Sequence, residues 1–200
     1  VDPDGRIDDV LWGPYISMHT GFSTDPSLRH QASSGGALSG VLTHLLESGK
    51  IDGVIQTGAS PQVPVANATV LSQTAAEVHH AAGSRYAPSA PLAGLEPYLD
   101  SSRQFAFVGK PCDVVALRAL AKEDPRVNIR IPVMLAFFCA GVPSQTGAEK
   151  ILETLGTDLA STTSFRYLGQ GGPGQATALL NDGSSGSMSY FDSRGATLDQ

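Results

Sequence analysis

Cysteine is the scarcest reactive residue of the chain, with two in 200 residues. Two are too few for a disulfide framework, and the cytoplasm is the expected compartment. Charge is thin as well, at 16% of residues with a net value of −6. The 13 Lys and Arg residues are scattered, with no basic cluster, so no nucleic-acid partner is expected. No apolar run reaches the roughly 18 residues needed to span a bilayer, so no membrane span is expected. The longest run, around Ile131 to Val142, contains Pro132 and is short enough for a buried strand. The opening Val1-Asp2-Pro3-Asp4 is acidic and lacks an apolar segment, so it is no signal peptide. It also lacks a starting Met, which raises the expectation of a piece cut from something longer. GxSxG and HExxH are both missing, and a hydrolytic site has no positive support.

What is there is a core-forming chain, 41% hydrophobic, with 22 glycines. That profile suits an α/β enzyme with many tight loops. Residues 1–33 read as an irregular opening segment. Ala37 to Glu47 carries Leu38, Val41, Leu42, Leu45 and Leu46 at helical spacing and is closed by Ser48-Gly49. Ile51 to Gln56 and Val63 to Leu71 read as strands, Thr74 to Ala82 and Gly94 to Leu99 as short helices, and Gly83 to Pro88 as a loop. Phe105 to Val108 is a compact buried strand, followed by an amphipathic helix over Asp113 to Lys122. Ile129 to Phe138 is apolar and β-rich, hence a central strand, and Ser144 is the N-cap of a helix reaching Leu155. Strand–helix–strand–helix order over 105–155 argues for parallel pairing with a right-handed crossover. Beyond residue 160, short runs at Phe165 to Tyr167, Ala176 to Leu180 and Ser187 to Phe191 lie between glycine turns and predict antiparallel hairpins. The expected fold is thus α/β, a mixed sheet with crossover helices and then a short antiparallel β-rich segment. Residues 1–160 form the expected α/β domain, and 161–200 the start of a β-rich C-terminal segment that stops mid-pattern.

Four places invite chemistry. Ser33-Ser34-Gly35-Gly36 lies where loop meets helix, where free N–H groups and glycines favour a phosphate; the plain alternative is a serine N-cap and a tight turn. Gly109-Lys110-Pro111-Cys112 follows a buried strand and precedes a helix, the usual ligand edge of an open α/β sheet. It is no Walker loop, because the leading glycine spacing is missing and Pro111 stands where Ser or Thr is required. Cys112 there reads as a lowered-pKa thiolate or a metal ligand, with Lys110 as counter-charge. Cys139 also ends a strand, and its plain reading is a packed thiol. Both cysteines end strands of neighbouring βα units and should converge on one edge of the sheet. Gly169 to Gly174 spells GxGxxG, but Pro173 sits inside it and a strand follows, so a hairpin loop is expected. His19, His30, His44, His79 and His80 show no metal spacing.

Taken together these segments resemble one family. Arg29 to Gly36 with Leu45 to Ile55, Gly83 to Pro88, Phe107 to Arg118, Phe137 to Ser144, and Phe165 to Tyr167 with Gly172 to Gly174 are similar, in order, to blocks of the coenzyme F420 hydrogenase/dehydrogenase beta subunit family. The same blocks resemble 7-hydroxymethyl chlorophyll a reductase. The resemblance implies an oxidoreductase carrying FAD and 4Fe-4S centres, moving electrons between cluster and flavin and on, as hydride, to a deazaflavin or another acceptor. It implies a small-molecule hydride donor or acceptor and a redox partner protein or subunit, and it leaves room for a homo-oligomer. By residue, it assigns the flavin pyrophosphate to Ser33, Ser34, Gly35 and Gly36. It assigns flavin polar edges to Gly83, Ser84, Arg85, Tyr86, Gly109 and Lys110, with Lys110 stabilising a reduced, anionic flavin. It assigns the cluster to Cys112 and Cys139. A cubane usually takes four thiolates, so the remaining ligands are expected outside this chain, or the cluster is lost. Two other readings stand beside this one: a cofactor-binding or interaction module without catalysis of its own, and a thiol-based redox protein using Cys112 with Cys139.

Overall fold

The computed structural model describes residues 7–172 and 174–193. Pro173, the opening Val1 to Asp4, and the chain from Arg194 onward lie outside the described residues.

A mixed four-stranded sheet organises the chain, in the order β4-β3-β5-β6. β3 (Gly53–Ala59) and β4 (Asn67–Ser72) form an antiparallel hairpin. β5 (Phe105–Gly109) pairs parallel with β3, and β6 (Val133–Ala136) parallel with β5. β5 is buried along its whole length, as expected of a strand covered on both faces. Strand alternation sorts its side chains. Phe105, Phe107 and Ile55 pack with Leu95, Leu99, Leu117, Val127 and Ile131, from the side of α4 (Glu96–Leu99), α5 (Pro111–Glu123) and α6 (Arg126–Arg130). Ala106, Val108 and Val54 pack with Leu42, Ile51 and Val78, from the side of α2 (Ala37–Glu47) and α3 (Ala75–His80). The result is a sheet between two helical layers.

A second core lies under an antiparallel sheet of β7 (Thr162–Arg166), β8 (Gln175–Leu180) and β9 (Ser185–Ser189). Phe165, Tyr167, Ala176 and Ala178 meet Ala148, Ile151 and Leu152 of α7 (Gln145–Thr154), together with Val65 and Ala87. The mixed sheet, its crossover helices and the antiparallel segment agree with the fold class read from the sequence.

Three expectations need correction. The opening segment is not wholly irregular. It holds a small hairpin, β1 (Ile7–Asp9) with β2 (Gly13–Tyr15), and α1 (Pro26–Gln31), capped by the Asp25 carboxylate on Ser27 N and Leu28 N. The strand expected from Val63 begins only at Asn67. Pro64 lies in a turn closed by Ala66 N donating to Val63 O at 2.9 Å, and Val65 is buried in the second core instead. The central strand expected over Ile129 to Phe138 splits. Its first part belongs to α6, where Ile129 is exposed, and β6 is an edge strand of four residues ending at Ala136. The register explains the ending. Ala136 lies opposite Gly109, where β5 itself stops and turns into α5, so Phe137 and Phe138 have no strand to pair with.

Candidate functional site

The Ser33–Gly36 turn is not a serine-capped helix start. Ser33 makes no cap bond. Its hydroxyl oxygen instead accepts from Ser84 N at 3.0 Å and from the Ser84 hydroxyl at 2.9 Å, tying together segments 51 residues apart. Ser34, Gly35 and Gly36 follow in left-handed backbone, with φ of 51°, 66° and 69°. Glycine is the natural occupant of that region, and packing adds a second demand. A Cβ on Gly35 would stand 3.0 Å from Phe22 Cβ, and one on Gly36 would stand 3.1 Å from Leu28 O. The two glycines are therefore needed by the turn itself. α2 then starts with no side-chain cap and no acid in its first turn. Its first N–H groups lack a side-chain acceptor, an arrangement suited to an anionic group.

The glycine loop between β7 and β8 closes on the same place. Gly171 N donates to His30 O at 3.0 Å, and Arg166 Nη1 donates to Gln31 O at 3.0 Å. A Cβ on Gly169 would collide with the Arg166 guanidinium and stand 2.9 Å from Gln31 O. β8 after this loop is antiparallel to β7, the hairpin context that the sequence favoured over a dinucleotide fingerprint.

Arg85 takes another direction. It donates from Nε to Asn67 Oδ1 at 2.7 Å, from Nη1 to Phe165 O at 3.2 Å, and from Nη2 to Pro64 O and Ala66 O, each at 2.9 Å. Burial pushes its pKa below the usual arginine value. The guanidinium lies 5.5 Å from the Tyr167 ring centre, and Tyr167 donates its hydroxyl to Val65 O at 2.7 Å. Burial pushes the Tyr167 phenol up to about 12, with Arg85 acting in the opposite sense. Arg85 thus knits the 64–67 turn to β7. Tyr86 stacks edge-on to Tyr167, ring centres 5.8 Å apart.

The Gly109-Lys110-Pro111-Cys112 corner is tightly built. The Asp113 carboxylate accepts from Lys110 N at 2.9 Å and pairs with Lys110 Nζ at 2.7 Å. Nζ also donates to Ser89 Oγ at 2.9 Å. Lys110 is therefore not a free cation, since Asp113 offsets its charge at contact distance. Gly109 has no room for a side chain: a Cβ would stand 2.8 Å from the Phe107 ring and 2.9 Å from Asp113 Cβ. Asp113 and Ser89 were missed by sequence reasoning. An acid at the third position of a helix that begins Lys-Pro was the available signal for Asp113. Ser89 had none.

Cys112 and Cys139 are both free and exposed. With Gly109 opposite Ala136, each cysteine follows its strand end by three residues, and both chains leave the sheet at the same edge. Cys139 Sγ contacts Gly141 O at 3.6 Å. Among the described residues no group of three His, Cys, Asp or Glu side chains stands close enough to hold a metal ion. Nor is any helix among them long and apolar enough to cross a membrane.

A sheet between helices, with glycine turns and a charged corner at its strand ends, defines a mixed α/β protein. Comparison with known proteins gives the family. The N-terminal part of the coenzyme F420 hydrogenase/dehydrogenase beta subunit matches residues 18–96, and its C-terminal part matches residues 102–195. The chain belongs to that family. It is 28% identical over 131 residues to the F420-dependent formate dehydrogenase subunit beta of Methanocaldococcus jannaschii, covering 66% of this chain and 34% of the relative. It is 29% identical over 137 residues to the coenzyme F420 hydrogenase subunit beta of Methanosarcina barkeri, covering 66% and 45%. It is 28% identical over 149 residues to the coenzyme F420-dependent sulfite reductase of M. jannaschii, covering 68% and 24%. The chain thus spans less than half the length of these curated relatives. In fold it resembles a chain of the F420-reducing [NiFe] hydrogenase complex of M. barkeri, with a TM-score of 0.64 over 87% of this chain and 60% of that one, at 22% identity.

Proposed function

We propose that this chain is the flavin-binding part of an oxidoreductase subunit, taking FAD between the Ser33–Gly36 turn and the Gly83–Ser84 loop. The observation that carries this is the junction of those two loops through the Ser33 and Ser84 hydroxyls, beside the uncapped start of α2. The donor chemistry fits a pyrophosphate: backbone N–H groups and hydroxyls, with no carboxylate in the first turn of α2. When bound, the flavin would supply two-electron chemistry toward a hydride donor or acceptor. The relatives' names make a deazaflavin of the F420 type the first candidate. Residues 1–160 would hold the flavin, and 161–200 would begin the β-rich segment whose Gly169–Gly171 loop closes on α1.

A 4Fe-4S centre does not fit this chain alone, because a cubane usually takes four thiolates and the sequence has two. Any cluster at Cys112 and Cys139 would draw further ligands from outside these 200 residues. The same edge suits a redox partner subunit. Phe138 beside Cys139 is almost fully exposed and meets Trp12 edge-on at 6.5 Å.

The test is an FAD titration of the purified protein, read by flavin fluorescence and absorbance, followed by anaerobic addition of a reduced deazaflavin. Stoichiometric FAD binding and bleaching of the bound flavin are expected. A protein that retains no FAD would overturn the reading. Bulky residues at Gly35 and Gly36 would not discriminate, because the turn itself excludes them.

A further inference from the structure

The Lys110 corner contains a hydroxyl, that of Ser89, whose oxygen is engaged and whose hydrogen has no acceptor among the described residues. Ser89 Oγ accepts a hydrogen bond from Lys110 Nζ at 2.9 Å. That is its one side-chain bond among the described residues, so its own O–H hydrogen is uncommitted. Lys110 is held from the other side by Asp113 Oδ2 at 2.7 Å, with the two side chains only 13% and 14% exposed. Asp113 is itself fixed, accepting Lys110 N at 2.9 Å and lying against the bare Cα of Gly109. The ammonium donates both ways, to the Asp113 carboxylate and to the Ser89 oxygen, and the Ser89 O–H is left to donate onward. A hydroxyl whose oxygen already accepts from a cation is a stronger donor than a free serine, because successive hydrogen bonds polarise one another. The same direction argues against a serine nucleophile, which needs a neighbouring base to receive its proton, whereas here Nζ donates. Ser89 is half-buried, and the corner stands at the carboxyl end of β5, where ligands of open α/β sheets bind.

We infer that Ser89 is a ligand-contacting residue of the proposed flavin site. Its hydroxyl donates to the pyrimidine carbonyl edge of the isoalloxazine, with Lys110 as the polarising cation and Asp113 as a positioning residue. This rests on the flavin reading above. Sulfite is a suitable probe. It adds through its sulfur lone pair to the oxidised ring, forming a sulfur–nitrogen bond and leaving the displaced electron pair as negative charge on the pyrimidine side. A donor at that edge therefore favours addition.

The experiment uses the FAD-loaded protein and reads the sulfite dissociation constant from loss of the flavin visible band, alongside FAD affinity. S89A should weaken sulfite binding about tenfold, the change expected for one hydrogen bond to a ligand that becomes charged. S89T keeps the hydroxyl and should stay within about twofold of the parent. S89C, nearly isosteric and a weak donor, should move in the direction of S89A, so the test survives if S89A misfolds. If the parent binds no FAD, the functional reading itself fails, and this inference with it. If the parent binds FAD and both S89A and S89C match it in sulfite and FAD affinity, Ser89 does not touch the ring and the inference is overturned while the functional reading stands.

Discussion

The two strand ends that carry the cysteines start from equivalent positions and come out very differently. β5 and β6 run parallel with Gly109 opposite Ala136, and each reaches its cysteine three residues later. After β5 the chain turns at once into α5, Pro111 occupies its first turn, and Asp113 folds back to hold both the amide and the side chain of Lys110. After β6 no helix or strand follows until α7 begins at Gln145, and Phe138 and Val142 face outward, 95% and 45% exposed. Position in the sheet explains the contrast. β5 is central and covered on both faces, so its end is boxed in by neighbours, whereas β6 is the edge strand and the chain that follows it has no strand left to pair with. A tight corner fixes polar groups in place. An open one leaves apolar surface for something else to cover.

The largest break in this comparison should come from Gly109→Ala. The new methyl would stand 2.8 Å from the ring of Phe107, which is fully buried, so neither can easily give way. Overpacking of this kind costs about 1–3 kcal/mol, read as a lower urea midpoint at unchanged slope. The opposite residue, Ala136, is exposed, and Ala136→Ser should stay within about 0.5 kcal/mol, as surface substitutions usually do. Equal losses at the two positions would abolish the distinction between a closed and an open strand end.

A smaller effect is expected from Asp113→Ala. Loss of the cap on α5 should cost about 1 kcal/mol, and Lys110 would lose the anion it contacts at 2.7 Å. The matching change at the other corner is Ser144→Ala, which removes the cap bond from Gly147 N at 3.3 Å. Thermal melts of the two variants should show the larger fall at Asp113, because that carboxylate serves both an amide and an ammonium.

Much of this architecture was legible in the sequence, and the closed corner more so than the open one. The helix over Ala37–Glu47 follows from its apolar spacing alone, and β5 from four consecutive apolar residues before a glycine. Element type failed where tertiary partners decide it. The apolar run at Ile129–Phe138 looks like one central strand, but its first two residues belong to a helix and its end has no neighbour to pair with. The serine turn at residue 33 carries an N-cap signal, yet its hydroxyl is taken by Ser84, and no local pattern could announce a bond across 51 residues. Arg85 looks like a ligand contact by block resemblance. In the fold it is half-buried and donates four hydrogen bonds, to three carbonyls and an amide oxygen, which is the work of a staple between loops.

The smallest effect, and the sharpest test of the open side, is Phe138→Ser. Phe138 is 95% exposed and meets one ring, Trp12, edge-on at 6.5 Å. An aromatic pair is worth about 0.5–1.5 kcal/mol when buried. This one is largely in water, with Trp12 itself 61% exposed, so the loss should be at or below about 0.5 kcal/mol. Trp12 is the only tryptophan, so its emission reports this contact without interference from another indole. The variant should shift that emission while leaving the urea midpoint nearly unchanged. A midpoint loss comparable to Gly109→Ala would mean that Phe138 is buried in the protein in solution. The edge beyond β6 would then be as closed as the edge beyond β5, and the exposed aromatic surface assigned to a redox partner would not exist.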